Sequence, residues 1–138
     1  MIKDVVFSRM RQTITAYDDG DDVLGVWECR DEFEEGVNEY GQPRESLPDG
    51  VYPDIEAEIY PPGGLEPAFG TFYISSGDER GRDIHGGGSS LEEPYAPRQG
   101  WLCTYGCLRM QNADGEELSA MIMEATQNGV GVTLHVGD

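Results

Sequence analysis

Two reactive side chains stand among glycines in the second half of the chain. His85 lies in Asp83-Ile84-His85-Gly86-Gly87-Gly88, and Cys107 lies in Thr104-Tyr105-Gly106-Cys107-Leu108-Arg109-Met110. Cysteine is a strong nucleophile only as thiolate, and a neighbouring histidine is the usual means of removing its proton at neutral pH. Glycines on either side let a substrate backbone approach closely. His135 is the only other histidine, so a cysteine enzyme built on this chain has His85 as its base.

Other chemistries fit parts of the pattern. His85-Gly86-Gly87-Gly88 has the composition of the oxyanion loop of lipases, but the Gly-x-Ser-x-Gly elbow that must accompany it is absent and the chain is short. Cys103, Cys107 and His85 have ligand chemistry for zinc, with Cys29 or His135 as a fourth ligand out of motif spacing. Cys107 alone would read as a small buried apolar residue. Gly106 before it and Arg109 after it suit an exposed thiol in an electropositive setting instead. Three cysteines do not make a disulfide framework, so at least one thiol is free in an uncrosslinked chain.

The elements that must position these residues are mainly β. Val5–Phe7, Gln12–Tyr17 and Val23–Cys29 are rich in β-branched and aromatic residues, and Asp18–Asp22 reads as the hairpin turn between the last two. Residues 31–50 read as a long acidic surface loop. Ile55–Tyr60 and Thr71–Ile74 are further strands, parted by Pro61–Gly64. One substantial helix follows the cysteine motif. Asp114 and Glu117 have the spacing of a capping box, Leu118, Met121, Ile122 and Ala125 form one apolar stripe, and Gly129 stops it. Val130, Val132, Leu134 and Val136 alternate as a closing strand. The expectation is a single domain over residues 1–138, mainly β, sandwich- or barrel-like with mixed sheets, carrying one helix in its C-terminal half.

The net charge of −18, with Lys3 the only lysine, excludes nucleic acid and anionic membrane surfaces as natural partners. It fits a solubility role, a salty habitat, a basic partner or the steering of cationic substrates. No apolar run is long enough to span a membrane. The start, Met1–Arg9, lacks the pattern of a signal peptide. The protein then works where it is made, has lost its signal, or leaves by another route.

The ordered set Ile84-His85-Gly86, then Thr104-x-Gly106-Cys107-Leu108-Arg109-Met110, then Asn112-x-Asp114 and Glu117-Leu118, resembles the signature of the L,D-transpeptidase catalytic domain (YkuD-type). Arg11–Gly20 resembles that family's opening hairpin, Leu47–Tyr52 its Thr-Pro-x-Gly-x-Phe element, and Val130–Val136 its closing strand. Three features depart from the family, the first being a spacer between the His85 and Cys107 motifs slightly longer than is usual. Tyr105 stands where histidine is common, and residues 31–50 have no evident counterpart.

The resemblance implies an L,D-transpeptidase-like fold and a cysteine acyltransferase acting on peptidoglycan stem peptides. Cys107 is the implied nucleophile and His85 the base. Backbone N–H groups around Gly106 and Cys107 are the implied oxyanion donors. Cross-linking, trimming (L,D-carboxypeptidase) and D-amino-acid exchange are three fates of one Cys107 thioester. Thr104, Tyr105, Gly86, Trp101 and Arg109 are the implied substrate contacts. Arg109 either grips a donor carboxylate or pairs with Asp114 or Glu117. Trp101 and Tyr95 either cover the substrate or anchor the loop. Asp83 is not assigned to the site. Cys103 is either a buried filler or a resolving thiol for oxidised Cys107, the latter requiring a turn at Tyr105-Gly106. No cofactor and no metal are implied. Action is periplasmic or extracytoplasmic. Two further readings stay open: an antibacterial effector delivered by a specialised secretion system, with an immunity protein as partner, and a non-catalytic wall-binding module.

Overall fold

The computed structural model describes Met1–Asp138. Its strands are β1 (Ile2–Ser8), β2 (Thr13–Asp18), β3 (Val23–Arg30), β4 (Gly50–Tyr52), β5 (Glu56–Ile59), β6 (Phe72–Ser75), β7 (Ile84–His85), β8 (Leu108–Met110) and β9 (Thr133–Gly137), with one helix, α1 (Asn112–Gln127), between β8 and β9. They form one nine-stranded mixed sheet in the order β4-β9-β1-β2-β3-β8-β7-β6-β5. The pairs β1/β9 and β7/β8 are parallel and the others antiparallel.

Alternation decides which face of each strand is dry. Val5 and Phe7 of β1, Ile14 and Ala16 of β2, Trp27 and Cys29 of β3, and Leu134 and Val136 of β9 all point into the core. Ile2 is buried as well, although it is out of step with Val5. A register shift between Ile2 and Asp4 absorbs the extra residue. The helix buries Leu118, Ile122 and Ala125 against this core, and Met121 packs at its margin. It touches β5 and β6 at one end of the sheet order and β1 near the other. One helix can reach both only because the sheet curls around it.

The helix is capped differently from the capping box that the sequence suggests. It begins at Asn112, and its N-cap residue, Gln111, makes no side-chain cap. The Asn112 N–H donates to Gln99 Oε1 at 2.9 Å and the Ala113 N–H to the Pro97 carbonyl at 3.0 Å. Asp114 sits in the first turn and pairs with Arg98 at 2.8 Å. The cap therefore comes from the chain segment before Trp101, which local spacing cannot reveal. The other end behaves as expected. Gly129 adopts φ +73° and the Val130 N–H returns to the Ala125 carbonyl at 2.9 Å.

The buried Asn112 side chain donates to the Pro94 and Ala96 carbonyls and accepts from the Thr71 N–H. It pins the loop between β7 and β8 to the start of the helix. No helix is long and apolar enough to cross a membrane.

Candidate active site

Two very short strands set the histidine and the cysteine on the wall of one cavity; no hydrogen bond joins the two side chains, and the Cys107 thiol is directed to the Gly81 carbonyl at 3.9 Å. In the parallel β7/β8 pair, Ile84 is opposite Leu108 and His85 opposite Arg109. The register sets Asp83 beside Cys107: the Leu108 N–H donates to the Asp83 carbonyl at 2.9 Å, and the Asp83 N–H donates to Cys107 Sγ at 3.3 Å. His85 and Cys107 line one cavity of about 570 Å³, together with Ala68, Phe69, Ser89, Leu102, Thr104, Tyr105 and Arg109.

The turn that presents the thiol is built by Thr104. Its hydroxyl donates to the Cys107 carbonyl at 2.7 Å and accepts from the Gly106 N–H at 3.1 Å. Gly106 adopts φ +135°, and a Cβ there would strike the Glu45 carbonyl and the Arg82 side chain. Only glycine fits. The Gly106 N–H is thus occupied, whereas the Cys107 and Tyr105 N–H groups make no hydrogen bond within the protein.

His85 is buried. Phe69 packs edge-on to its ring at 5.0 Å, and Tyr73 stacks over it at 6.1 Å. Its Nδ1 lies 2.9 Å from the Gly86 carbonyl. A carbonyl can only accept, so Nδ1 carries the proton and Nε2 is the basic nitrogen. Burial, aided by the charge of Arg109 and opposed by the Gly86 hydrogen bond, pushes the imidazole pKa down to about 4. Burial also pushes the Cys107 thiol up, reinforced by Asp83 and Asp78 and opposed by the Asp83 N–H and Arg109. The resting pair is therefore a thiol and a neutral imidazole. The exposed, electropositive thiol suggested by Gly106 and Arg109 in the sequence is not what the fold builds, because burial outweighs the charge of Arg109.

Arg109 is 4% exposed. It donates to the Leu102, Ala68 and Cys103 carbonyls, its Nε has no partner, and no carboxylate pairs with it. The expected alternative of an ion pair with Asp114 or Glu117 fails, since Asp114 is held by Arg98. Tyr105 is a ridge, 66% exposed, with the Arg44 guanidinium 3.9 Å above its ring.

Gly86 is buried behind His85, where a Cβ would strike Asn112, and neither it nor Trp101 lines the cavity. Trp101 lies under the Arg30 guanidinium at 4.1 Å, and the Tyr95 hydroxyl donates to the Leu65 carbonyl. Cys103 is exposed and lines the cavity, so it is no buried filler. Cys29 is buried in the core, and His135 is bound to Asp4 on the far side of the sheet order. Neither joins Cys103, Cys107 and His85, and no group of three or more such side chains is placed to hold a metal ion.

Two parts of the site have no clear signal in the sequence. Tyr73 stacks on His85 and donates through its hydroxyl to Asp83 Oδ2 at 2.6 Å. Burial, with the Asp83 contact, holds that hydroxyl protonated far above its usual range. Asp83 Oδ1 accepts from the Ser76 N–H and hydroxyl. The segment 31–50 is the second part. Thr104 exchanges backbone hydrogen bonds with Glu32 and Glu34, and the Leu47 N–H donates to the Gly106 carbonyl at 3.0 Å.

No family model matches the chain, and no curated protein matches it. Solved structures do. An L,D-transpeptidase from Xylanimonas cellulosilytica is 18% identical with TM-score 0.54, over 97% of this chain and 59% of that one. The helical cell shape determining protein Pgp2 from Campylobacter jejuni is 15% identical with TM-score 0.64, over 98% of this chain and 47% of that one. An L,D-transpeptidase from Stackebrandtia nassauensis is 16% identical with TM-score 0.58, over 99% and 55%. The chain thus spans about half to three-fifths of the length of these proteins. At such identities the likeness shows the fold, which is mainly β, with one helix, and L,D-transpeptidase-like.

Proposed function

We propose that this protein is a cysteine acyltransferase of the L,D-transpeptidase kind, acting on peptidoglycan stem peptides. One observation carries the reading. What supports it is a thiol and a neutral imidazole lining one cavity, with Nε2 free to accept and the Cys107 N–H free to donate.

In this mechanism Sγ attacks the carbonyl of a diamino acid in the stem. His85 Nε2 takes the thiol proton as the S–C bond forms. The Cys107 and Tyr105 N–H groups stabilise the oxyanion, a contribution of about 3 kcal/mol per donor in well-studied cases. The imidazolium is then buried beside Arg109. Its pKa near 4 makes it costlier than a solvated imidazolium by about 3 kcal/mol, so it gives up its proton readily. That proton goes to the leaving amine as the C–N bond breaks, and the terminal D-residue departs. The thioester passes to the amine of a second stem, to water or to a free D-amino acid. Arg109 adds a fixed positive charge to the cavity wall, suited to the carboxylate of the departing residue. Such an enzyme acts where peptidoglycan lies, outside the cytoplasm.

Incubation with defined muropeptides and analysis of the products by mass tests the reading. Cross-linked, trimmed or exchanged products that disappear in Cys107→Ala support it. Silence with tri-, tetra- and pentapeptide stems alike overturns it.

A further inference from the structure

Cys107 and Tyr105 also form a wall of a second cavity, of about 470 Å³, on the other side of the Tyr105 ridge from His85. Arg44, Arg80 and Arg82 line it. The whole chain has 9 basic residues against 27 acidic ones, so a third of its positive charge meets at this one place. The arginines come from two separate segments, the 31–50 loop and the β6–β7 connection.

Their hydrogen bonding is incomplete. Arg82 is 7% exposed; its Nε and Nη2 are held by Asp78, and its Nη1 has no partner. Arg44 packs on the Tyr105 ring, keeps Glu34 only at 3.7 Å, and has a buried Nε without a partner. Arg80 spends one Nη2 hydrogen on the Pro43 carbonyl at 2.8 Å. Glu39 is the only carboxylate among the lining residues. Buried guanidinium N–H groups left unpaired are costly, and planar guanidinium groups suit carboxylates.

We propose that this cavity is a carboxylate-binding subsite, receiving an anionic group on the acyl part of the peptide that Cys107 captures. The assignment to the acyl part rests on the transferase reading. The leaving amine must meet His85 Nε2, so the departing residue lies over the His85 cavity. What stays on the sulfur extends to the opposite side, where the arginines are. The stem's own carboxylates are the matching chemistry, and the arginines would distinguish a free carboxylate from its amide.

Two measurements test this, and the first needs no peptidoglycan. Alkylation of Cys107 by iodoacetate and by neutral iodoacetamide is followed by peptide mass mapping in the wild type, Arg80→Gln and Arg44→Gln. The ratio of the two rates should fall roughly two- to fivefold in each variant, the size of one partly exposed charge pair, with the iodoacetamide rate unchanged. An unchanged ratio in both variants overturns the subsite. The second compares stem peptides with free and amidated carboxylates. The variants should raise KM for the free form only, and an equal loss for both forms also overturns it. If the alkylation ratio falls while no stem peptide is turned over, the anion site stands and the transferase reading falls.

Discussion

The backbone N–H of Asp83 donates to the Cys107 sulfur at 3.3 Å, while the Asp83 carboxylate turns away to Tyr73 and Ser76. One residue thus pulls the thiol in two directions: its N–H favours the thiolate and its charge opposes it. The thiol is held in place by that N–H while burial disfavours its ionisation.

Cys107→Ala should abolish acyl transfer and leave the thermal unfolding transition nearly unchanged, because a half-buried sulfur contributes little packing. Cys29→Ala should keep activity while losing about 1 kcal/mol of stability, since Cys29 is wholly buried. A carbapenem should add its mass to Cys107. Intact-mass and peptide mapping would locate the adduct, and finding it on Cys103 or Cys29 would move the nucleophile.

Burial holds His85 near pKa 4 against an ordinary 6.5. Acidification through pH 6.5 should therefore leave kcat/KM level, with the fall coming only as pH approaches 4. Stability behaves differently. Between these two pKa values the unfolded chain holds a proton that the folded one does not, so folding weakens as pH drops. By pH 5 the loss from this one group is about 2 kcal/mol. His85→Gln should remove that share, which denaturant titrations at pH 7 and pH 5 would read as a shallower difference; equal differences in the two proteins would contradict a buried neutral imidazole. The thiol moves the other way, and alkylation of Cys107 should still be accelerating at pH 9, its ordinary midpoint.

Tyr73→Phe removes the 2.6 Å hydrogen bond to Asp83 but keeps the ring stacked on His85. Hydrogen bonds to charged groups contribute about 1.5–3 kcal/mol, so a loss of stability in that range is expected. A lower kcat with little change in KM would place Tyr73 behind the chemistry; an unaltered kcat would make its role purely structural.

Gly106→Ala puts a methyl group against the Glu45 carbonyl and forces alanine to φ +135°. The backbone strain alone costs of order 1–3 kcal/mol. The variant should lose stability and β-lactam acylation together. Full acylation at wild-type rate would show that the turn relaxes freely.

The motif and the long elements were legible in the sequence. Strands β1, β2, β3, β5, β6 and β9 and the helix stripe each carry enough alternation or periodicity to stand out. The two strands that build the site do not. Strand β7 has two residues and β8 three, too few for any pattern, and their parallel pairing is a tertiary fact. Tyr73 reads as one more strand aromatic until its partner Asp83 is known. Arg109 reads as a grip for a donor carboxylate or a partner of Asp114 or Glu117, yet it is buried and holds three backbone carbonyls. The helix cap failed for a similar reason: Gln99 reaches Asn112 from outside any local window.

The segment 31–50 divides into an anchor and a tip. Its anchor hydrogen bonds with Thr104 and Gly106, flanking the turn that carries Cys107, while the tip closes on itself through Val37 opposite Pro43 and the Asn38 N–H to the Gln42 carbonyl. Such a division makes the tip a separable wall. Asn38, Glu39 and Tyr40 stand in it and line the cavity that Cys107 also lines, while the rungs at Thr104 and Gly106 hold the turn independently of them. A change of residue in the tip therefore reshapes that cavity without removing a hydrogen bond of the turn.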